Sequence, residues 1–255
     1  MNKSVLVIIF LRSFFISATL NFRRMQNLGF AMAIIPAIRE WKLTKKDSVK
    51  LLTRHLQMFN THPYFSASVA GSVIRLEEEQ LTGKGTNPSA YNVAIKQILT
   101  GPYAAIGDTF FWGALRPFAA IVSCVLAYMG YVIAAPLAFL LLYTPAHIWV
   151  RLKGFLEGYR RGKQGIEFIR ILDLPRIAVK IRWGSLIVLA GWAAYLLNSK
   201  GNLSFINLSN IVMKLVAIAT ILVCIGLIKK RISQFYILYG AAIIFLLISL
   251  KDFLN

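Results

Sequence analysis

PFAAIVSCVLAYMGYVIAAPLAFLLLYTPAHIWV, the stretch from Pro117 to Val150, contains no acidic, lysine or arginine residue. A helix needs about 20 apolar residues to cross a bilayer, so this stretch is longer than one span requires. Gly130 and Pro136 lie near its middle, and proline removes a backbone donor and clashes with the preceding turn. We therefore predict two shorter helices, or one broken helix, at membrane depth.

Other uncharged stretches extend this pattern towards the carboxyl terminus. They run from Arg182 to Lys200, from about Leu203 to Ile228 with Lys214 inside, and from Arg231 to Lys251. The chain is 57% hydrophobic and 15% charged, against about 45–50% and about 25% in soluble domains. We predict an all-α membrane protein, with amphipathic and re-entrant helices in the N-terminal half and transmembrane helices in the C-terminal half.

The net charge of +19 is concentrated beside apolar segments. Basic residues cluster between Arg151 and Arg182 and again from Lys229 to Arg231. Clusters of this kind are typical of cytoplasmic loops. We therefore predict that both basic clusters lie on the cytoplasmic side of the membrane and that residues 200–210 lie on the outer side. Basic residues interleaved with aromatic ones do not occur outside the apolar stretches, which disfavours nucleic-acid binding. Cys124 and Cys224 offer neither metal-ligand spacing nor a disulfide framework.

The amino-terminal segment from Val5 to Leu11 has two interpretations. It follows Lys3, as in a signal peptide, but Arg12 interrupts it and no convincing cleavage site follows. We favour a retained segment at the membrane interface.

By composition, the chain divides into an interfacial segment (1–43), re-entrant helices along a polar path (44–116), and transmembrane helices with basic loops (117–255).

Residues 44–79 predict two helices separated by a turn. Thr44 and Asp47 form a capping pair, and Val49, Leu52, Leu56 and Phe59 recur at helical spacing. Lys46, Lys50 and Arg54 share the opposite face, which indicates an interfacial helix or, alternatively, a soluble helix on a core. After the turn Asn60–Pro63, the segment Phe65–Glu79 is dense in small residues, which favours close packing against another helix.

Two groups of carboxylates are candidates for function. Glu77, Glu78 and Glu79 end the small-residue helix, where the helix dipole disfavours acids. They are either a solvated terminus balanced by Arg75 and Lys84 or the polar lining of a transport path. Asp108 is the only charge between Lys96 and Arg116. Glycines and Pro102 precede it, so we predict a broken segment rather than a continuous helix, with Asp108 facing a cavity or a partner. The alternative is a helix cap or a pair with Arg116.

A series of motifs extends over most of residues 10–165. They are Asn21–Phe30, Ile34–Ala37, Arg54–Leu56, Phe59–Tyr64, Leu76–Glu79, Gly101–Pro102, Gly107–Asp108, Phe111–Trp112, Arg116–Pro117 and Gly158–Tyr159 before Gly162. Together these motifs resemble one family, the IID components of the mannose/fructose/sorbose phosphotransferase permeases. The chain departs from the family at Arg23, Ser68, Ala105 and Thr109, where the family usually has Glu, Pro, Gly and often Pro.

The resemblance implies a multi-pass protein of the bacterial inner membrane that pairs with a IIC membrane subunit and passes a mannose-like hexose. It also implies soluble IIA and IIB subunits that carry the phosphohistidines, and a trimer of IIC–IID heterodimers. We therefore expect a non-catalytic translocation subunit without metal or cofactor. The predicted substrate-binding residues are Asn60, His62, Glu77, Glu78 and Asp108. One alternative is a structural or receptor subunit that stabilises IIC; the other, a membrane-embedded enzyme, lacks a recognisable catalytic constellation.

Overall fold

The computed structural model describes residues 1–83, 89–199 and isolated positions after 199. These residues are mostly helical, and their only extended pairings are the isolated bridges Asn21–Met25 and Met25–Phe59. The helices are α1 (Lys3–Arg12), α2 (Asn27–Glu40), α3 (Lys45–His55), α4 (Ser66–Leu81), α5 (Ser89–Gly107), a π-helix (Asp108–Leu115), α6 (Arg116–Tyr128), α7 (Ala134–Arg161), α8 (Ile166–Leu172) and α9 (Leu174–Ser199), with short 3-10 turns at Ser13–Phe15 and Gly162–Gly165.

The chain divides into two compact units, Met1–Ala193 and Ala194–Asn255. The first contains every named helix except the last turns of α9. Its core is an apolar cluster drawn from α2, α4, α5, the π-helix, α7 and the loop between α3 and α4. Its largest buried aromatic side chains are Phe30, Phe59, Phe65, Tyr103, Phe111 and Phe155.

The helix α3 begins as the sequence predicts. The Thr44 hydroxyl accepts a hydrogen bond from the Asp47 backbone N–H at 3.1 Å and donates one to the Asp47 carboxylate at 2.6 Å. Of the predicted apolar face, Val49 is 57% exposed and Phe59 is buried, and the interfacial position of the helix stays a prediction. The buried residues of α3 are Leu51 and His55, because the helix turns His55 towards a buried carboxylate on α4.

The helix α4 packs lengthwise on α7, which confirms the prediction from its small residues. Glycines on both helices permit backbone contact. A Cβ atom at Gly71 would overlap the Phe155 carbonyl oxygen, and one at Gly158 would overlap the Ser68 carbonyl oxygen and lie 3.1 Å from the Ser72 nitrogen. The close approach fixes α4 against α7, which is 28 residues long.

The segment around Asp108 is continuous, so the predicted break is wrong. A single helical run extends from Tyr91 to Tyr128. It includes Pro102, and the pairing changes to π-helical from Asp108 to Leu115 without a break in the helix. The boundary predicted at residue 116 falls inside this run, and the division into three segments stays a prediction.

A turn separates α6 from α7, which confirms the predicted break near Gly130. Gly130 has φ of +89°, a left-handed conformation that glycine adopts without steric cost. Pro136 follows in the first turn of α7, where a proline is tolerated. Pro145 lies farther along α7 without ending it.

Two helical runs in the described residues are long and apolar enough to cross a membrane, Tyr91–Tyr128 and Ala134–Gly165. The stretch predicted from Arg182 to Lys200 is helical as part of α9 up to Ser199. The predicted spans at 203–228 and 231–251, the external segment at 200–210, the basic cluster at 229–231 and Lys84 lie outside the described residues.

Candidate functional site

The loop from Leu56 to Tyr64 carries two predicted site residues and is held by side chains from a distant motif. Asn27 donates its amide N–H to the Leu56 carbonyl at 2.8 Å. The Gln26 side chain both donates to the Thr61 carbonyl and accepts from the Thr61 N–H, each at 3.0 Å, while its backbone N–H reaches the Phe59 carbonyl at 2.8 Å. These bonds fix the loop conformation and hold residues 26–27 against residues 56–61.

Lys96 supports the same loop from α5. Its side chain is 0% exposed, and its ammonium donates to the His55 carbonyl at 2.9 Å. The ammonium also lies 4.5 Å from the Phe30 ring centroid and 5.2 Å from that of Phe59, where the ring faces attract a cation. The charge is therefore balanced by a carbonyl dipole and two aromatic rings. The sequence marks Lys96 only as the edge of an uncharged stretch.

His62 joins this loop to the π-helix. It is 1% exposed, and its ring stacks on Phe111 with centroids 5.3 Å apart and contacts Trp112 at 4.7 Å. Its Nδ1 accepts from the Tyr64 N–H at 3.3 Å. A Cβ atom at Gly107 would overlap the His62 ring, so glycine is what lets the helix lie directly on the imidazole.

Burial lowers the pKa of His62 to about 4, with a smaller contribution from the positive charge of Arg151. The imidazole is therefore neutral at pH 7. In the unfolded chain its pKa is near the ordinary value of 6.5, so acid favours unfolding because only the unfolded state takes up the proton.

We expect the melting temperature of the purified protein to fall as the pH is lowered from 6.5 towards 4, and to fall less steeply in His62→Gln. His55 contributes with the same sign, since burial lowers its pKa too, so the difference between the two profiles isolates His62. Parallel profiles for the native protein and the variant would contradict a neutral buried His62.

A polar and aromatic cluster continues from this loop into α7. The hydroxyls of Tyr64 and Tyr143 share a hydrogen bond at 2.9 Å, and the Tyr64 ring stacks on His147 at 4.5 Å. Arg151, 3% exposed, donates to the Ser13 carbonyl at 3.2 Å and lies over the Phe14 ring at 4.1 Å. In residues 1–83 and 89–199 no carboxylate pairs with it, so aromatic faces and a carbonyl balance its charge, as for Lys96.

The three glutamates at the end of α4 each have partners within the chain. Glu77, 2% exposed, is bound by Arg54 and by His55, whose Nε2 lies 2.8 Å from its Oε1. Because burial lowers the pKa of His55, the neutral ring donates this hydrogen bond. The interpretation of a solvated terminus is therefore wrong for Glu77, which is buried and balanced from α3.

The other two glutamates are nearer the surface. Glu78 accepts from the terminal amine of Met1 at 2.7 Å and from the Tyr159 hydroxyl at 2.6 Å. Burial alone raises the pKa of Glu78, but these bonds and nearby positive charges together hold it below its usual value. Glu79 pairs with Arg75 at 2.7 Å, as the balanced-terminus alternative predicts.

Asp108 and Asn60 present their side chains at the surface. Asp108 begins the π-helix and is exposed. Across the described ranges it has neither an ion pair nor a side-chain hydrogen bond, so the alternative of a pair with Arg116 is wrong here. Asn60 is exposed in the loop from Leu56 to Tyr64, which we call the clamped loop because side chains of α2 and α5 hold it. These two residues are the predicted site groups whose polar atoms remain accessible.

The five predicted residues fall into two groups. Asn60, His62 and Asp108 lie near the N-terminal end of α4, since Gly107 contacts His62. Glu77 and Glu78 lie near its C-terminal end, about 16 Å away at the helical rise of 1.5 Å per residue. An open groove of about 290 Å³ borders the second group and is lined by Leu43, Asp47, Lys50, Leu51, Arg54, Glu77, Gln80 and Leu81.

The described residues form an all-α protein with a polar loop packed into its helical body and two helical runs that are long and apolar enough to cross a membrane. In such proteins, ionisable groups among apolar helices mark transport paths or structural pairs.

The chain belongs to the PTS system mannose/fructose/sorbose family IID components, whose family model matches residues 1–254. The resemblance seen in the motifs is thereby confirmed. The fructose permease IID component of Bacillus subtilis (strain 168) is 35% identical over 167 residues, 66% of this chain and 60% of that protein. The mannose-specific EIID component of Escherichia coli (strain K12) is 37% identical over 155 residues, 60% of this chain and 54% of that protein.

Other comparisons extend farther along the chain. The sorbose-specific EIID component of Lacticaseibacillus casei is 27% identical over 243 residues, 89% of this chain and 85% of that protein. A solved structure described only as a membrane protein superposes with a TM-score of 0.73 at 26% identity, over 96% of this chain and 95% of that one. The mannose transporter ManYZ in complex with microcin E492 gives 0.59 at 27% identity, with the same coverage.

Proposed function

We propose that this chain is the IID membrane subunit of a mannose-type sugar phosphotransferase permease and that it forms, with a IIC membrane subunit, the path of a hexose across the bacterial inner membrane. The family match over residues 1–254 carries the proposal. The solved complex named for the mannose transporter ManYZ supports a mannose-like hexose and a membrane partner. Soluble IIA and IIB subunits supply phosphate in this proposal, the chain itself is non-catalytic, and the assembly is a trimer of IIC–IID heterodimers.

The predicted site residues take two roles in this proposal. Asn60 and Asp108 face the path, because their polar atoms are accessible at the end of the helical body where the clamped loop meets the π-helix. His62 fixes the loop against the π-helix. Glu77 holds α3, and Glu78 holds the amino terminus, against the end of α4. Both glutamates line the path there in this proposal.

Asp108→Asn is expected to lower hexose uptake about tenfold, the size of one hydrogen bond to a charged group. Uptake is measured in membranes that contain the IIC, IIA and IIB partners and is expressed per assembled complex. Asp173→Asn is the matched control: it removes an acid that precedes α9 and pairs with Arg176, away from the π-helix in sequence, and asparagine tolerates its φ of +43°. Normal uptake by Asp108→Asn with normal assembly would contradict a place on the path.

A second candidate function is a structural or receptor subunit that stabilises IIC without lining the path. The observation that favours it is the microcin bound in the superposed ManYZ complex. Under this alternative, Asp108→Asn transports normally, and IIC purified without this chain binds the sugar with full affinity.

A further inference from the structure

The π-helix from Asp108 to Leu115 is an irregular element with a specific external contact. Its pairing from residue i to i+5 is rare beyond a single turn and often marks a functional site. Arg182, from α9, donates its Nε–H to the Gly113 carbonyl at 3.2 Å. The bond thus satisfies a carbonyl in the irregular part of the helix, which lies between Pro102 and Pro117.

The same guanidinium lies close to Asp108. Arg182 Nη2 is 3.2 Å, and the Asp108 carbonyl oxygen 3.3 Å, from the position of a Cβ atom on Gly113. The two atoms are therefore no more than 6.5 Å apart. This separation is to the backbone oxygen of Asp108; its carboxylate is exposed and does not pair with Arg182. The guanidinium therefore acts on the backbone of the π-helix.

Arg182 also provides the polar attachment of α9. Farther along the two helices the contacts are apolar: Phe118 lies 3.5 Å from a Cβ position on Gly184, and Tyr128 meets Trp192 with ring centroids 5.6 Å apart. Among the described residues, the bond from Arg182 to Gly113 is the one hydrogen bond that links α9 to the run from Tyr91 to Tyr128. A shift of α9 along the run would therefore act on the π-helix first, through this bond.

We propose that Arg182 is a positioning residue for the sugar path: through its bond to the Gly113 carbonyl it holds the π-helical conformation, so that α9 sets where the Asp108 carboxylate at the start of that segment points. The inference rests on the proposed function for its effect on transport, but the positioning itself does not require transport. Arg182→Met removes the hydrogen-bond donor, whereas Arg182→Lys keeps a charged donor.

Positioning is tested first on the purified chain. With Cys124 and Cys224 replaced by serine, a single cysteine is placed at Thr109, beside Asp108, and its rate of reaction with a soluble maleimide is measured. We expect the rate to change at least about threefold in Arg182→Met, since one charge-assisted hydrogen bond is lost, and to return towards the original value in Arg182→Lys. Lys180→Met, which removes a charge from the same helix two residues away, is the control and should leave the rate unchanged.

Transport is tested separately through a double-mutant cycle. We expect Arg182→Met to lower uptake per assembled complex about tenfold, and the double variant with Asp108→Asn to be no slower than the slower single variant. Multiplied losses would overturn the coupling, and so would an unchanged labelling rate. If Arg182→Met does not accumulate, Arg182→Gln takes its place in both tests. Normal uptake by Asp108→Asn alone would reject the proposed path while leaving the labelling result standing.

Discussion

Gly158→Val is expected to abolish accumulation of correctly folded protein. Any Cβ atom at Gly158 overlaps the Ser68 carbonyl oxygen and lies 3.1 Å from the Ser72 nitrogen. Both are backbone atoms of α4 and have no free rotation by which to move away, so the two helices must separate along their contact. Overpacking typically destabilises a protein by about 1–3 kcal/mol, occasionally more. A clash with rigid backbone atoms is expected at the upper end of this range.

The measurement is the yield of monodisperse protein in detergent, together with its melting temperature. Gly191→Val is the matched control, since Gly191 is also helical and a Cβ atom there meets no heavy atom within 4 Å. A normal yield for Gly158→Val would show that α4 and α7 are not in contact at this point.

A compensating pair tests the same interface from a side-chain contact. A Cβ atom at Gly154 overlaps the Ser68 hydroxyl, so Gly154→Ala should destabilise the protein and Ser68→Gly in the same chain should restore it. No such rescue is expected for Gly158, because its clash is with the backbone of Ser68. Rescue of both variants, or of neither, would be inconsistent with this packing.

The second large effect is expected at Glu77. Glu77 is the acceptor for two groups of α3, the Arg54 guanidinium at the edge of the groove and the buried, neutral His55 ring. A buried donor left without its acceptor costs about 1–3 kcal/mol, and a charged group costs more. Glu77→Ala leaves Arg54 and His55 without their carboxylate. We therefore expect a large fall in melting temperature, a loosened α3 and increased proteolysis between Thr44 and Leu56.

Glu79→Ala, two residues away, provides the comparison. Its pair with Arg75 is at the surface, and exposed pairs contribute about 0–1 kcal/mol. Equal melting temperatures for the two alanine variants would contradict the buried network. Glu77→Gln should lie between them, since it keeps one acceptor for the His55 ring but loses the charge opposite Arg54.

The features that sequence predicted well depend on local chemistry. Thr44 and Asp47 lie three residues apart and cap a helix regardless of the rest of the fold. Gly130 permits a backbone conformation that few other residues adopt. The small residues of α4 indicate close packing, although the sequence alone does not identify α7 as the partner.

The features that sequence missed depend on contacts between distant residues. Val49 fits an apolar helical face, but the orientation of α3 is decided by Glu77 on another helix. Pro102 and nearby glycines predict a break, yet the contact between Gly107 and His62 and the bond from Arg182 favour a continuous run. The burial of Lys96 requires two aromatic rings from α2 and the clamped loop, which no local pattern reveals.

The π-helix sets the rotation of α6 relative to α5 about the axis of the run. Each residue of an α-helix advances the chain by about 100° around the axis, and a π turn takes about one residue more. The run enters this segment with Lys96 and Tyr103 facing inward and leaves it with Ala119 facing inward. Deletion of one residue between Asp108 and Leu115 would rotate everything downstream by roughly a quarter turn, swinging Phe118 away from Gly184 while the upstream half stayed in place.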